Sequence, residues 1–151
     1  MEMMEYHDET NIAGAVRRAL MLPYKDPRMV SPLVLAYIGD TVYDLFVRTL
    51  VISHSDLGVH GLHKLSAGRV CAAAQAAAYH RIADKLTQDE QDVYKRGRNA
   101  HMGTVPKHAS ITDYRTATGL EALMGYLYLA GDDERLQTLM RAALEETEEE
   151  T

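Results

Sequence analysis

Apolar positions along the chain recur at three- and four-residue steps and nowhere alternate convincingly, so the pattern predicts helices joined by short loops. Ser31-Pro32 reads as an N-cap followed by proline at the first helical position. It opens an apolar helix, "PLVLAYIGDTVYDLFVRTLVI", that runs to about Ile52. "SHSDLG" is a loop. A second, alanine-rich helical stretch extends from about Val59 to Leu86, with a break expected near Ser66 to Gly68. "TQDE" is a capping box, with Thr87 as cap and Glu90 three residues on, and starts a helix to about Arg98. From Asn99 to Thr112, "NAHMGTVPKHASIT" has no sustained period and reads as a long loop. Helix resumes near Asp113 and stops at Gly131, a natural C′ residue. A last amphipathic helix covers about Asp133 to Glu146. With no repeat or linker in this order, residues 1–151 are expected to form a single all-α domain, a helical bundle.

Composition narrows the class. With 46% apolar and 25% charged residues the chain can bury a core and is not disordered. One cysteine, Cys71, excludes a disulfide framework or a cysteine zinc site. No apolar run reaches the roughly 18 residues of a membrane span, and "MEMMEYHDET" lacks the basic-then-apolar order of a signal peptide. A cytoplasmic protein with no membrane partner is expected. The net charge of −6 argues against a polyanionic ligand until its placement is considered. Nine of the 22 acids lie within residues 1–10 and 145–151, acidic ends expected to fray, and neither end holds Lys or Arg. The remainder is mildly basic.

Two carboxylates interrupt apolar helices. Asp40 follows Gly39 inside "LAYIGDTVYDLF", and Glu121 sits inside "ATGLEALMGYLYLAG". An ionised carboxylate taken out of water costs several kcal/mol unless compensated, and Gly39 costs a helix roughly 1 kcal/mol more than alanine. Ala36 and Asp44 flank Asp40 on the helical net; Ala117, Thr118 and Gly125 flank Glu121. Small neighbours let two helices approach closely and bring the two acids together across an apolar seam. There they would repel unless a proton or cation lay between them. Magnesium suits such a place, since it takes hard oxygen ligands and often uses only one or two protein carboxylates plus substrate phosphates. The competing reading gives each acid an Arg or Lys partner, or a helix to cap. Asp44 fits that reading, with Arg48 four residues on.

Between Lys95 and Thr112 lie four Lys or Arg residues, two histidines and no acid, and Arg115 follows. Arg96, Arg98, Asn99, Lys107 and Arg115 are candidate contacts for phosphate oxygens. A second basic cluster, "HGLHKLSAGR", adds Lys64 and Arg69. Its His60 and His63 lack a third ligand to form a metal site. Tyr79, Tyr94 and Tyr114 read as core or interface.

Taken together, "LAYIGDTVYDLFVR", "LHKLSAGRVCAAAQA" and "KRGRNAHMGTVPKHASITDYRTATGLEALMGYLYL", in this order and spacing from about Ser31 to Gly131, resemble the Mini-ribonuclease III family. These are the short relatives of ribonuclease III without a double-stranded-RNA-binding domain. The resemblance implies a ribonuclease III endonuclease-domain-like fold, a homodimer, magnesium dependence and cleavage of double-stranded RNA. It implies precursor 23S (large-subunit) ribosomal RNA as substrate, trimmed near its ends, with room for a ribosomal protein partner. Asp40 and Glu121 fall on the family's signature catalytic and metal-binding acids. The larger ribonuclease III pattern uses two further acids, whose positions here are Ala36 and Thr118; that thinning is characteristic of the Mini-ribonuclease III branch. Two other classes compete. A non-catalytic RNA-binding or ribosome-associated module on the same fold has no need of paired acids, and a helical pyrophosphohydrolase would show several Glu pairs at helical spacing.

Overall fold

The computed structural model describes residues 10–100 and 110–145. It contains α1 (Ile12–Leu20), α2 (Pro32–His54), α3 (Val59–Val70), α4 (Ala72–Ile82), α5 (Gln88–Arg98), α6 (Ile111–Ala130) and α7 (Asp133–Leu144). Short 3-10 turns lie at Pro27–Met29 and Ala83–Lys85. No strand occurs among the described residues, and the fold is all-α.

Caps set the boundaries. The Ser31 hydroxyl accepts from the Val34 N–H, with Pro32 at the first helical position of α2. The Thr87–Glu90 capping box closes reciprocally at 2.9 and 3.2 Å. α6 begins two residues earlier than expected, because Ser110 caps it through the Asp113 N–H. It ends where expected, on Gly131 at φ 77°, whose N–H reaches back to Leu127 and Tyr128. The break in the alanine-rich stretch falls at Cys71 and not at Ser66 to Gly68. Cys71 takes extended backbone between α3 and α4, while Ser66 is buried within α3.

α6 is the axis of the bundle. Its residues from Thr116 to Gly125 are buried almost without interruption, as a helix must be when neighbours cover it all round. It packs against α2, α4 and α5, with α7 across α4. Leu120, Leu123 and Met124 form the core with Tyr43 and Val47 of α2, Ile82 of α4 and Leu136, Leu139 and Met140 of α7. Tyr79 and Tyr94 are core residues, their rings stacked at 3.7 Å and 16°. α1 is moored by Asn11, which caps it, and by the Ile12 N–H, which donates to Asp133. No helix among the described residues is long and apolar enough to cross a membrane.

Candidate active site

α2 and α6 run antiparallel at unusually close range, and two glycines are the reason. A Cβ on Gly39 would overlap the Glu121 carbonyl, and a Cβ on Gly125 would overlap the Leu35 carbonyl. Each glycine therefore admits the backbone of the other helix, which accounts for the local cost of Gly39. The approach brings the side chains of Asp40 and Glu121 within hydrogen-bonding reach across the seam.

The two acids are not equivalent. The sequence suggested two carboxylates inside the apolar seam, yet only Glu121 is half-buried and Asp40 is exposed. Gly39 holds the inward position of that turn, and the next residue along a helix is rotated by about 100°. Asp40 stands at the mouth of the seam with Glu121 behind it. The Glu121 carboxyl is pushed up to about 9, by burial first and then by its hydrogen bond to Asp40 and the charge of Asp40. Without a cation, Glu121 keeps its proton at neutral pH.

Ala36 and Thr118, at 8% and 6% exposure, lie one turn to either side of the pair along the seam. Neither adds a carboxylate, and the Thr118 hydroxyl donates to the Tyr114 carbonyl at 3.0 Å. Among the described residues no group of three or more His, Cys, Asp or Glu side chains could enclose a metal. What remains is a hard-oxygen pair with one open side. It fits a magnesium ion that keeps several waters and takes its other ligands from a phosphate. Such a cation would replace the proton on Glu121 and cancel the repulsion from Asp40. Asp44 has its ordinary partner, accepting from Arg48 Nε at 2.9 Å.

The basic candidates divide between two places. The last turn of α5 packs on α6, where a Cβ on Gly97 would come within 2.6 Å of the Ala122 Cβ and 3.0 Å of the Gly119 Cα. Exposed Arg96, half-buried Arg98 and exposed Asn99 thus sit at the same end of the bundle as exposed Arg115, one turn before Gly119. Arg98 lies over the Tyr94 ring at 5.9 Å and donates from Nε to Asn99 at 3.3 Å. Lys107 lies outside the described residues. Lys64 is exposed on α3 and Arg69 half-buried. Arg69 borders a hollow of about 330 Å³ with Tyr43, Arg81 and Leu144.

Sequence reasoning missed two residues here. Tyr43 follows Asp40 by three positions, and that helical spacing was the available signal; Arg81 gave none. The Tyr43 hydroxyl is pushed up to about 12 by burial, against the lowering influence of Arg81 and Arg69, and it also feels Glu121. The basic hollow and the acid pair are therefore electrostatic neighbours.

Residues 33–132 match the ribonuclease III domain family. Over 141 residues the chain is 42% identical to the Mini-ribonuclease 3 of Thermoanaerobacter sp., covering 93% of this chain and 99% of that one. It is 47% identical over 126 residues to the Mini-ribonuclease 3 of Clostridium tetani, covering 83% of each. A crystal structure of a Fusobacterium nucleatum protein superposes with a TM-score of 0.70 at 29% identity, covering 78% of this chain and 93% of that one.

Proposed function

The chain belongs to the ribonuclease III family, among its Mini-ribonuclease members, and is an endoribonuclease; on that premise we propose that it cuts double-stranded RNA with magnesium held by Asp40 and Glu121. The observation that supports this assignment is the carboxylate pair itself, with Glu121 pushed up to about 9 by burial and by Asp40. When bound, the metal supplies Lewis-acid polarisation of the scissile phosphate and a more acidic water. Asp40 faces the substrate side. Glu121 would hold the ion from the inner side in its ionised form, on the α2–α6 seam that also contains the buried Leu35, Ala36 and Ala122.

Arg96, Arg98, Asn99, Lys107 and Arg115 hold the RNA backbone on one side, and Lys64 and Arg69 on the other. Duplex RNA is read mostly by shape and phosphate, which suits such a set. α2 exposes Leu33, Val34, Tyr37, Leu45 and Ile52, with Tyr37 at 79%, a stripe that supports a homodimer presenting one site to each strand. The substrate we infer is precursor 23S ribosomal RNA trimmed near its ends, in the cytoplasm, with a ribosomal protein as a candidate selector of the RNA. A purely RNA-binding module on the same fold would have no use for paired acids.

Incubating the protein with duplex RNA, with and without magnesium, tests the proposal. Asp40→Asn and Glu121→Gln should each lower cleavage on the order of 10³-fold, about 4 kcal/mol of transition-state stabilisation. Both should still bind duplex RNA. Wild-type cleavage by both variants would remove the assignment.

A further inference from the structure

Two arginines stand in the last turn of α5, and the fold treats them differently. Arg96 is exposed, while Arg98 is half-buried against Tyr94, one turn earlier on the same face. The Arg98 guanidinium lies over the Tyr94 ring at 5.9 Å, and Tyr79 of α4 stacks on that ring at 3.7 Å and 16°. The column is held at its base. Tyr94 is 2% exposed, and its hydroxyl lies within hydrogen-bonding reach of Thr116 and Tyr79. The Tyr79 oxygen in turn accepts from Gln91 Nε2 at 3.1 Å. The edge of the Tyr94 ring rests on α6, where a Cβ on Gly119 would come within 2.5 Å of the Tyr94 Cε2. Gly119 stands two residues before Glu121, so Arg98 is referenced to the helix that carries the inner acid of the pair. Arg98 Nε donates to Asn99 Oδ1, and among the described residues neither terminal nitrogen bonds or pairs with another side chain.

We propose that Tyr94 is a positioning residue, holding Arg98 as a fixed phosphate fork that sets the register of the RNA backbone against Asp40 and Glu121. The proposal rests on the RNA-cleaving reading above. A long cationic side chain loses rotamer freedom when it grips a ligand. Here the ring and the Asn99 bond have already restricted it, which is preorganisation. A guanidinium can stack on a tyrosine face and still present its planar edge to two phosphate oxygens. A phosphate gripped at a fixed offset from the acid pair places the scissile phosphate, whereas a loose grip of the same charge does not. Misplacement by about 1 Å can cost on the order of 10²-fold in rate, so the effect belongs to turnover more than to affinity. Exposed Arg96 supplies charge alone.

Kinetics on duplex RNA with magnesium, per folded molecule, read this role. Arg98→Lys keeps the charge and loses the planar fork. Its turnover at saturating RNA should fall roughly tenfold or more, while the salt dependence of RNA binding in EDTA stays that of wild type. Tyr94→Leu keeps Arg98 and should lose turnover to a similar extent. The double variant should be no worse than the weaker single, because the two residues act as one unit. Tyr94→Phe keeps the ring and should restore turnover close to wild type. Wild-type turnover in Tyr94→Leu, a change confined to KM in Arg98→Lys, or additive losses in the double variant would each overturn the proposal. Should Tyr94→Leu fail to fold, Arg98→Lys still decides.

A second measurement needs neither RNA nor metal. Nitrogen relaxation of the guanidinium Nε–H groups should find Arg98 ordered and Arg96 mobile in the wild-type chain. In Tyr94→Leu the Arg98 group should become as mobile as that of Arg96. Equal mobility of the two in wild type overturns the fixed fork, whether or not the protein cuts RNA. An ordered Arg98 in a chain that leaves duplex RNA intact would instead remove the nuclease reading, and the register role with it.

Discussion

Glu90 and Glu121 are the same side chain on neighbouring helices, and their environments drive them in opposite directions. Glu90 is the more deeply placed, at 6% exposure. It accepts two bonds from Arg135, both at 2.8 Å, and one from the Thr87 N–H at 2.9 Å. The Arg135 hydrogen bonds hold its carboxyl below the usual range; burial opposes them, and the Thr87 backbone adds to them. Glu121 is less buried, yet burial and a second carboxylate push it up to about 9. Surface exposure does not rank them: burial raises both carboxyls, leading the shift of Glu121 and being outweighed by Arg135 at Glu90. Glu90 has its cation within the chain, and Glu121 faces Asp40, which can only share a proton or wait for a metal. A satisfied buried acid belongs to the scaffold; an acid paired with an acid marks the site.

Breaking the satisfied pair should cost the most stability. Arg135→Met strands a buried carboxylate and should lower the unfolding free energy by about 3–5 kcal/mol at neutral pH. Glu90, lowered in the folded chain, contributes stability above the ordinary glutamate range and loses it as pH falls through its depressed value. The penalty should therefore shrink in acid. Urea unfolding at pH 7 and pH 4 measures both, and cleavage per folded molecule should be unchanged. A neutral Arg135→Met at pH 7 would mean that the contrast with Glu121 has no energetic content.

The seam offers a subtler cut. Gly39→Ala forces a methyl into the Glu121 carbonyl and must part α2 from α6. Overpacking of this kind costs about 1–3 kcal/mol, and it should also separate Asp40 from Glu121. Gly97→Ala makes a milder intrusion on α6, within 2.6 Å of the Ala122 Cβ, on the α5 side and not in the α2–α6 seam. Both should lose stability, Gly39→Ala the more, but only Gly39→Ala should lose turnover at saturating RNA. Equal turnover in both would show that the spacing of the acids is not controlled by this glycine.

How much of this was legible beforehand follows the range of the interactions. The capping box at Thr87, the stop at Gly131 and the pairing of Asp44 with Arg48 are local, and residue type and spacing announce them. The close seam was legible because glycines and small residues at helical steps have little other purpose. The exposure of Asp40 was not, since the apolar run hides which face of the turn Gly39 takes. Arg135 lies 45 residues from Glu90 in sequence, so its partner emerges only from the tertiary fold that sets both α5 and α7 on α6. α1 gives weak signals: its cap is Asn11, and it ends on Met21 in the left-handed region, at φ 56°, where glycine would be the usual marker.

The mildest test leaves the packing intact and removes only the proton equilibrium. In the metal-free protein the folded-state pKa of Glu121 is about 9, against an ordinary value of 4.5. Between those values the folded chain holds one proton more than the unfolded chain, so wild-type stability falls as pH rises across the window. Glu121→Gln has no such equilibrium. Its melting temperature should match wild type near pH 4.5 and exceed it increasingly towards pH 8, by roughly 2–4 °C for each kcal/mol in a domain of this size. Magnesium should reverse the order, stabilising wild type by occupying the pair and the variant much less. Because the ion must displace a proton, the magnesium concentration for half-maximal stabilisation should fall as pH climbs towards 9, by up to about tenfold per unit. A difference in melting temperature that stays flat from pH 5 to 8 would mean that Glu121 is already ionised without metal, and the contrast with Glu90 would then lie in their partners' positions and not in their protons.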